Sequence, residues 1–300
     1  MKYLLIGSNG FIGKSVARVL GEAKNDLYLA DRGNTDEGKN VSIDLFDKKS
    51  IENAIAKVNP DVIINLAGNV ENSEKALEIN PVFTRNLLDV ILDTKNDNIK
   101  KIIITGSAGE YGEVKKEGSV DENQPLLGQS FYARSKIEET SLAMDYKKKH
   151  GLPINIVRIF NPIGVGMHPR FLIPSLIRQV KEISDGQVSL ISINRLDSKR
   201  DYANVRDIAR AIVLISEKEK TNKTVYNLGS GKATSNKELI DIVIKACGIK
   251  KKLSIKELSD NPEPKVADMA NITRIQDEFG WEPEISLENT ILEIKNERDK

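Results

Sequence analysis

Three glycines near the amino terminus constrain the fold of this chain more than any other feature. Gly7, Gly10 and Gly13 separate an apolar run of strand length from a segment with helical periodicity. Glycines at such a junction permit a tight turn, let backbone N–H groups approach a phosphate, and allow close packing of helix on strand. The pattern predicts a pyrophosphate-binding turn that includes the first helical residues, Phe11 and Ile12. The structural alternative is a glycine turn without a ligand.

The second apolar run ends at Asp31, which follows the glycine turn at a spacing typical of dinucleotide sites. A carboxylate at this place accepts hydrogen bonds from both hydroxyls of an adenosine ribose and repels a 2′-phosphate. Asp31 therefore favours NAD(H) as the cofactor. Arg32 beside it leaves NADP(H) as the alternative, since a guanidinium can bind a 2′-phosphate.

Short apolar runs alternate with helical patterns through the first half of the chain. The runs are rich in Ile, Leu and Val, and their continuous apolar character is what strands covered on both faces need. Strand and helix alternating at this spacing give right-handed βαβ units. The predicted strands are residues 3–7, 26–31, 61–68, 101–107 and 154–160, and the predicted helices are residues 14–22, 49–58, 83–94 and 132–150.

The pattern loosens after residue 160, where prolines become frequent and the elements shorten. A helical segment at 206–217 and a strand-like run at 224–229 indicate a return to the main sheet. We therefore predict an α/β fold, a Rossmann-type doubly wound parallel sheet with a smaller, discontinuous C-terminal α/β substrate lobe. The predicted dinucleotide-binding domain comprises residues 1–162 and about 203–230, and the substrate lobe comprises about 163–202 and 231–300.

Composition disfavours several other classes of protein. Lys plus Arg number 45 and Asp plus Glu number 44, a net charge of +1, so no global positive field attracts nucleic acid. No apolar run reaches the roughly 18 to 20 residues of a membrane span or has the flanks of a signal peptide, so we expect a cytoplasmic protein without membrane or nucleic-acid partners. One cysteine and two histidines make a disulfide, a multi-histidine metal site and a Ser-His-Asp hydrolase poor candidates.

Ser107, Tyr132 and Lys136 form the candidate catalytic set. Ser107 ends a predicted strand, and Tyr132 and Lys136 follow in the segment YARSK, which opens a helix. A tyrosine and a lysine four residues apart lie on one helical face, so the ammonium favours the phenolate and permits acid–base chemistry near neutral pH. A serine at a strand's carboxyl end can donate a hydrogen bond to the same substrate oxygen. Alone, such a Tyr/Lys pair is most often a surface contact. Beside the glycine turn it predicts proton transfer coupled to a dinucleotide.

The chain resembles the extended short-chain dehydrogenase/reductases, which include nucleotide-sugar epimerases, dehydratases and reductases, over nearly its whole length. A series of landmarks in the family's order carries the resemblance. They are GSNGFIG (7–13), Asp31, DL (44–45), NLAG (65–68), Asn80, GSAGEYG (106–112), YARSK (132–136), RIFNPIG (158–164), KRDYANVRDIARA (199–211), YNLGSG (226–231) and FGW (279–281).

This resemblance implies roles for further residues. Asp44 and Leu45 would flank the adenine, and Leu66, Ala67 and Gly68 would run past the cofactor. Tyr132 and Lys136 would also bind the cofactor, with Lys136 holding its ribose. The smaller lobe would hold a nucleotide-sugar diphosphate. The substrate contacts implied are Ser107, Ala108, Asn161, Arg170 and Arg200. A homodimer through the helix at residue 132 and the preceding helix is also implied, although an apolar face packed on the sheet explains the same pattern.

Two residue types narrow the activity that the resemblance implies. The 4,6-dehydratases of this family carry an Asp-Glu pair directly after the serine, where this chain has Ala108 and Gly109. GDP-fucose synthases have a cysteine that shuttles protons at carbon where this chain has Gly109. Carbon-centred epimerisation is therefore disfavoured as well. The chain looks most like GDP-4-keto-6-deoxymannose reductases, which favours an NAD(P)H-dependent 4-ketoreductase with Tyr132 as general acid. A nucleotide-sugar C4 epimerase with tightly bound NAD is the alternative, and a non-catalytic NAD(H)-binding sensor is a remote one.

One residue that binds the nucleotide phosphates in many family members is replaced in this chain. Many members have an arginine before a proline near the carboxyl end, where this chain has Asn261. Lys265 and Arg170 are the candidate replacements. The nucleotide base, the sugar and the stereochemistry at C4 are therefore left unassigned.

Overall fold

A computed structural model describes residues 1–112, 118–250, 252–258 and 269–298. Asn261 stands where many family members have the phosphate-binding arginine, and Lys265 is a candidate replacement for that arginine. Both residues lie outside the described residues. The strands among the described residues are β1 (Lys2–Ile6), β2 (Asp26–Asp31), β3 (Asn40–Ser42), β4 (Val62–Asn65), β5 (Lys101–Ser107), β6 (Ser119–Val120), β7 (Ile154–Ile159), β8 (Pro162–Ile163), β9 (Leu190–Ile193), β10 (Lys199–Asp201), β11 (Ala203–Asn204), β12 (Val225–Leu228), β13 (Ala233–Ser235), β14 (Ser254–Glu257) and β15 (Met269–Ala270). The helices are α1 (Phe11–Glu22), α2 (Lys48–Val58), α3 (Glu74–Asp93), α4 (Phe131–His150), α5 (Leu172–Ser184), α6 (Val205–Glu217), α7 (Asn236–Ala246), α8 (Thr273–Phe279) and α9 (Leu287–Arg298), with a 3-10 turn at Ala108–Tyr111.

Seven strands form a central parallel sheet in the order β3-β2-β1-β4-β5-β7-β12. The chain winds outwards from β1 in two directions, so the strand order reverses between β1 and β4. Open parallel sheets bind their ligands at the carboxyl ends of the strands beside such a reversal. The predicted α/β fold with a Rossmann-type doubly wound sheet is confirmed.

Aliphatic side chains cover both faces of the central sheet. Leu4 and Ile63 pack on one face with residues of α2 and α3, whereas Leu5 and Ile64 pack on the other with residues of α1 and α6. Neighbouring residues of one strand point to opposite faces, so both must be apolar when helices cover both faces. This is why the strands could be predicted as continuous apolar runs.

Helix α3 begins at Glu74, well before the start predicted at residue 83. Pro81 lies inside α3 and is buried, although proline removes a backbone donor and disfavours a helix interior. On the same helix Thr84, Leu87 and Leu88 are fully buried. Their packing against α4 and the sheet stabilises a helix that local sequence preference would have ended.

The elements outside the central sheet have a hydrophobic core of their own. Ile173, Leu176, Leu239 and Ile291 join α5, α7 and α9 in this cluster. Returning to the main sheet, β12 pairs with β7, and α6 packs on α1. The predicted residue boundaries between the two lobes stay a prediction. None of the helices in the described ranges combines the length and the hydrophobicity that crossing a membrane requires.

Candidate active site

The glycine turn joins β1 to α1 through very close backbone contacts. Gly7 adopts a left-handed φ of +79°, and a Cβ there would lie 2.8 Å from the backbone nitrogen of Ala67. A Cβ on Gly13 would lie 2.1 Å from the carbonyl oxygen of Gly7. Gly10 is the N-cap of α1, so no capping side chain competes for the first N–H groups of the helix. The turn thus has the backbone geometry of an anion-binding site.

Gly13→Ala should disrupt this turn and weaken NADH binding at least about tenfold, because the added methyl overlaps the Gly7 carbonyl and the backbone must move. Isothermal titration calorimetry of each purified protein with NADH measures the change in affinity. Gly21→Ala is the matched control, since it lies in the same helix and its Cβ would meet nothing within 4 Å. Equal NADH affinity in the two variants would contradict the role given to the turn.

A cleft of about 500 Å³ opens beside the turn. It lies where β1, β2 and β4 end, the place expected for a dinucleotide in this topology. The predicted cofactor residues that line it are Gly7, Gly10, Asp31, Arg32, Asp44, Leu45, Leu66, Ala67 and Gly68. Five other predicted cofactor residues are not among the lining residues. Phe11, Ile12 and Gly13 form the first turn of α1, directly after the Gly10 cap, and Tyr132 and Lys136 lie in α4.

Asp31 and Asn34 are each tied to the glycine turn by a hydrogen bond from Asn9. The backbone N–H of Asn9 donates to Asp31 Oδ2 at 3.2 Å. The Asn9 side-chain amide donates to Asn34 Oδ1 at 2.9 Å. The structure therefore holds the predicted ribose-binding carboxylate next to the predicted pyrophosphate-binding turn.

Two aromatic residues on the cleft wall were missed by motif reasoning. The rings of Phe46 and Phe83 meet edge to face with centroids 4.7 Å apart, and Phe46 is 51% exposed. The backbone N–H of Phe46 donates to Asp44 Oδ1 at 3.0 Å, which fixes the loop after β3. An exposed ring on a cleft wall offers a flat apolar surface to a nucleotide base. No local pattern relates a loop residue to a residue within α3, so sequence spacing gave no signal.

The predicted substrate contacts occupy different places. Arg170 lines the cofactor cleft, where its guanidinium lies 3.9 Å from the Glu71 carboxylate. Asn161 donates through Nδ2 to the carbonyl oxygen of Asp201 at 2.8 Å. Arg200 is in β10 and donates to the Ser198 hydroxyl at 3.0 Å. The structure places Arg170 beside the expected cofactor, and its assignment to the substrate stays a prediction, as do those of Asn161 and Arg200.

Ser107 and Tyr132 are brought together around Gly109. Ser107 ends β5 and caps the 3-10 turn, and its Oγ accepts a hydrogen bond from the Gly109 N–H at 3.1 Å. Tyr132 lies in the first turn of α4, behind the Ser130 cap. A Cβ on Gly109 would lie 3.4 Å from Ser107 Oγ and 4.0 Å from Tyr132 Cδ1. Ala108 lies between Ser107 and Gly109, so only small residues separate the end of β5 from the Tyr132 ring in the first turn of α4.

Lys136 is buried one helical turn after Tyr132. Its Nζ lies 2.6 Å from Glu139 Oε2, and the Lys136 side chain is only 6% exposed. Burial acts to lower the pKa of Lys136, but the adjacent Glu139 carboxylate, together with Tyr132 and Glu110, outweighs burial and raises the pKa above its ordinary value. The ammonium that the proton-transfer chemistry requires is therefore retained.

Glu110 is a second buried carboxylate that sequence reasoning missed. Its Oε1 accepts the Ser107 N–H at 2.7 Å, and its Oε2 accepts from Arg158 Nε and the Thr140 hydroxyl, each at 2.9 Å. Burial raises the pKa of Glu110, and the Arg158 guanidinium opposes that shift. Through the Ser107 N–H, Glu110 holds the strand end that presents Ser107. Because Glu110 is 0% exposed, it takes no part in the cleft.

A dinucleotide cleft at the reversal of a doubly wound sheet, with Ser, Tyr and Lys at one strand end and helix start, defines the class of extended short-chain dehydrogenase/reductases. The family profile described as GDP-mannose 4,6 dehydratase matches residues 4–294, and the chain belongs to this family of enzymes.

Similar proteins within this class have different activities. The UDP-glucose 4-epimerase of Pisum sativum is 27% identical, over 96% of this chain and 92% of the epimerase. The GDP-6-deoxy-D-mannose reductase of Pseudomonas aeruginosa is 26% identical, over 98% of this chain and 95% of the reductase. The solved structure of RMD from Pseudomonas aeruginosa complexed with NADPH is 24% identical and superposes with a TM-score of 0.83, covering 99% of this chain and 98% of that one. The likeness thus extends over the whole chain, and the residues of the site must distinguish among the activities.

Proposed function

We propose that this nicotinamide-dependent enzyme reduces the C4 ketone of a nucleotide-activated 4-keto-6-deoxyhexose. The observation that carries the proposal is that Ser107 and the Tyr132 ring both lie close to Gly109, in a chain whose cleft at the ends of β1, β2 and β4 is lined by predicted cofactor residues. The two hydroxyls suit an oxygen that gains a proton. The similar reductase of Pseudomonas aeruginosa supports this choice.

Tyr132 and Ser107 act on the substrate oxygen, and Lys136 acts on Tyr132 and on the ribose of the cofactor. The reduced cofactor, when bound, supplies a hydride to the ketone carbon. Tyr132 gives its phenolic proton to the oxygen that becomes the hydroxyl, and Ser107 donates a hydrogen bond to the same oxygen. Lys136 stabilises the phenolate left on Tyr132 through its positive charge.

Dehydration is disfavoured although the family profile is described by a dehydratase. Elimination of water needs an acid and a base at the sugar, and Ala108 and Gly109 provide neither. The carboxylate of the same turn, Glu110, is fully buried and paired with Arg158. It is therefore not available to a substrate in the cleft.

C4 epimerisation is the second candidate, because oxidation followed by re-reduction at C4 uses the same Ser, Tyr and Lys set. The similar epimerase of Pisum sativum supports it. An epimerase keeps its cofactor through the cycle, so it should purify with tightly bound NAD and need none added.

An assay with purified protein separates the two candidates. The protein is incubated with NADH or NADPH and a panel of nucleotide 4-keto-6-deoxyhexoses that differ in base, and loss of the reduced-nicotinamide absorbance is followed. A ketoreductase consumes one reduced cofactor for each sugar. Interconversion of UDP-glucose and UDP-galactose without added cofactor would select the epimerase, and no cofactor consumption with any ketone would eliminate the ketoreductase.

NADH is the cofactor we propose, because Asp31 lies in the cleft beside the glycine turn. We expect NADH to bind about tenfold or more tightly than NADPH, and Asp31→Ser to bring the two affinities close together, since the carboxylate both accepts ribose hydrogen bonds and repels a phosphate. Asp36→Ser is the control, as Asp36 is exposed and pairs with Lys57. Tighter NADPH binding by the unaltered protein would show that Arg32 dominates this end of the cleft.

We also propose a cytoplasmic homodimer through α3 and α4. The two helices pack against each other, and their outer surfaces expose Val82 and Met144. Light scattering on the purified protein should give the mass of two chains, and a monomer mass would exclude this assembly.

A further inference from the structure

One member of the buried ion pair beside Tyr132, Glu139, has no task in the proposed reaction. Glu139 is 2% exposed, and its Oε2 lies 2.6 Å from Lys136 Nζ. Its Oε1 accepts a hydrogen bond from the Thr84 hydroxyl at 2.7 Å. Thr84 belongs to α3, and Lys136 and Glu139 belong to α4, so contacts from two packed helices hold the carboxylate.

Charged groups face this pair from several elements. Tyr132 acts on Lys136 from the preceding turn of α4, and Glu110 of the 3-10 turn acts on both members of the pair. Glu110 is itself neutralised by Arg158 of β7, at 2.9 Å. Glu139 is therefore the carboxylate that contacts Lys136 directly, whereas Glu110 contacts Arg158.

A buried ammonium keeps its proton only when a counter-charge offsets the loss of hydration. For Lys136 burial lowers the pKa, and Glu139, Tyr132 and Glu110 together raise it above its ordinary value. For Glu139 burial is the largest effect and raises the pKa, while Lys136 and the Thr84 hydroxyl oppose that rise. The short contact between the two groups, with a hydroxyl donating to the other oxygen, favours the charged form of both.

We infer, on the basis of the proposed proton transfer by Tyr132, that Glu139 is a positioning residue for Lys136. Its carboxylate, anchored by Thr84, holds the ammonium at 2.6 Å and supplies the counter-charge that keeps Lys136 positive beside the proton donor. Without it Lys136 loses its proton at lower pH and no longer stabilises the phenolate.

Thermal unfolding as a function of pH tests this role without any substrate. In the unaltered protein the pKa of Lys136 is raised, so its stabilising contribution is complete below the ordinary lysine pKa of about 10.4. In Glu139→Gln the pKa of Lys136 is depressed, so the variant gains stability as Lys136 loses its proton. The difference in Tm between the two proteins should therefore become smaller as the pH rises. At pH 10 it should be less than about half of its value at pH 7.

Glu138→Gln is the matched control, because Glu138 is the neighbouring residue and is exposed. It should change Tm little at every pH. A gap for Glu139→Gln that is constant with pH would overturn the inference, since lost packing or a lost hydrogen bond does not titrate with Lys136.

A second background keeps the test decisive if Glu139→Gln unfolds at neutral pH. The double variant Lys136→Met with Glu139→Gln should be more stable than either single variant, because each single variant leaves one buried charge unpaired and the double variant leaves none. Losses of stability that simply add would overturn the inference.

Catalysis supplies a separate readout once a substrate is accepted. In Glu139→Gln the alkaline fall of kcat should move to lower pH, whereas Glu138→Gln should leave it in place. An unmoved alkaline limb would overturn the role in catalysis. Failure to find any ketone substrate would instead count against the proposed function, because the stability measurements stand apart from it.

Discussion

Tyr132→Phe is expected to lower turnover by about 10²- to 10⁴-fold while leaving NADH binding close to that of the unaltered protein. The variant removes one oxygen, and with it the proton that neutralises the alkoxide formed at C4. The ring stays in the first turn of α4, next to Gly109, so the packing around Ser107 is kept. Single-turnover measurements with NADH and an accepted ketone give the chemical step, and fluorescence titration gives the NADH affinity.

A second tyrosine provides the control for that variant. Tyr28 lies on β2 and packs against the core, away from the proposed proton transfer. Tyr28→Phe should therefore keep turnover within about threefold of the unaltered protein, the ordinary range for a surface or peripheral change. Near-full turnover in Tyr132→Phe would refute its role as the acid, and equal losses in both variants would indicate a general structural effect.

Arg158→Met should destabilise the protein by about 3–5 kcal/mol, because it leaves the buried Glu110 carboxylate without its counter-charge. Arg158 also donates to the Tyr111 hydroxyl at 3.1 Å and lies over the Tyr111 ring at 4.9 Å, so the change removes packing as well as charge. Chemical denaturation followed by circular dichroism measures the free energy of unfolding. Turnover should fall too, since Glu110 holds the N–H of Ser107.

Arg206→Met is the matched control for Arg158→Met. Arg206 also pairs with a glutamate, Glu293, but both of these side chains are 41% exposed. Water already hydrates such a pair, so its loss should cost about 1 kcal/mol or less. A cost that is no greater for Arg158→Met than for Arg206→Met would contradict the structural role given to the Glu110 pair.

Those parts of the site that depend on neighbours along the chain could be predicted from the sequence. The glycine turn, Asp31 and the Tyr132–Lys136 spacing each describe one local element, and backbone geometry determines which residues of that element face together. The strands were visible because both faces of the central sheet are covered, which demands unbroken apolar runs.

The remaining parts depend on contacts between distant segments, which spacing does not reveal. Glu110 of the 3-10 turn pairs with Arg158 of β7, and Glu139 of α4 accepts a hydrogen bond from Thr84 of α3. Either glutamate reads in the sequence as an ordinary surface charge, since helices and turns carry many. Only the packed structure shows that both are buried around the predicted catalytic set. Arg170 illustrates the same limit, because its distance from the cofactor cleft depends on how the loop before α5 folds back.

The central claim is hydride transfer from the cofactor to C4, with Tyr132 as the acid. NADH carrying deuterium at its transferable position, incubated with an accepted nucleotide 4-keto-6-deoxyhexose, tests it by mass spectrometry of the product sugar. We expect one deuterium at C4, one NADH consumed per sugar, and loss of both in Tyr132→Phe. A product formed without deuterium and without net consumption of NADH would contradict it.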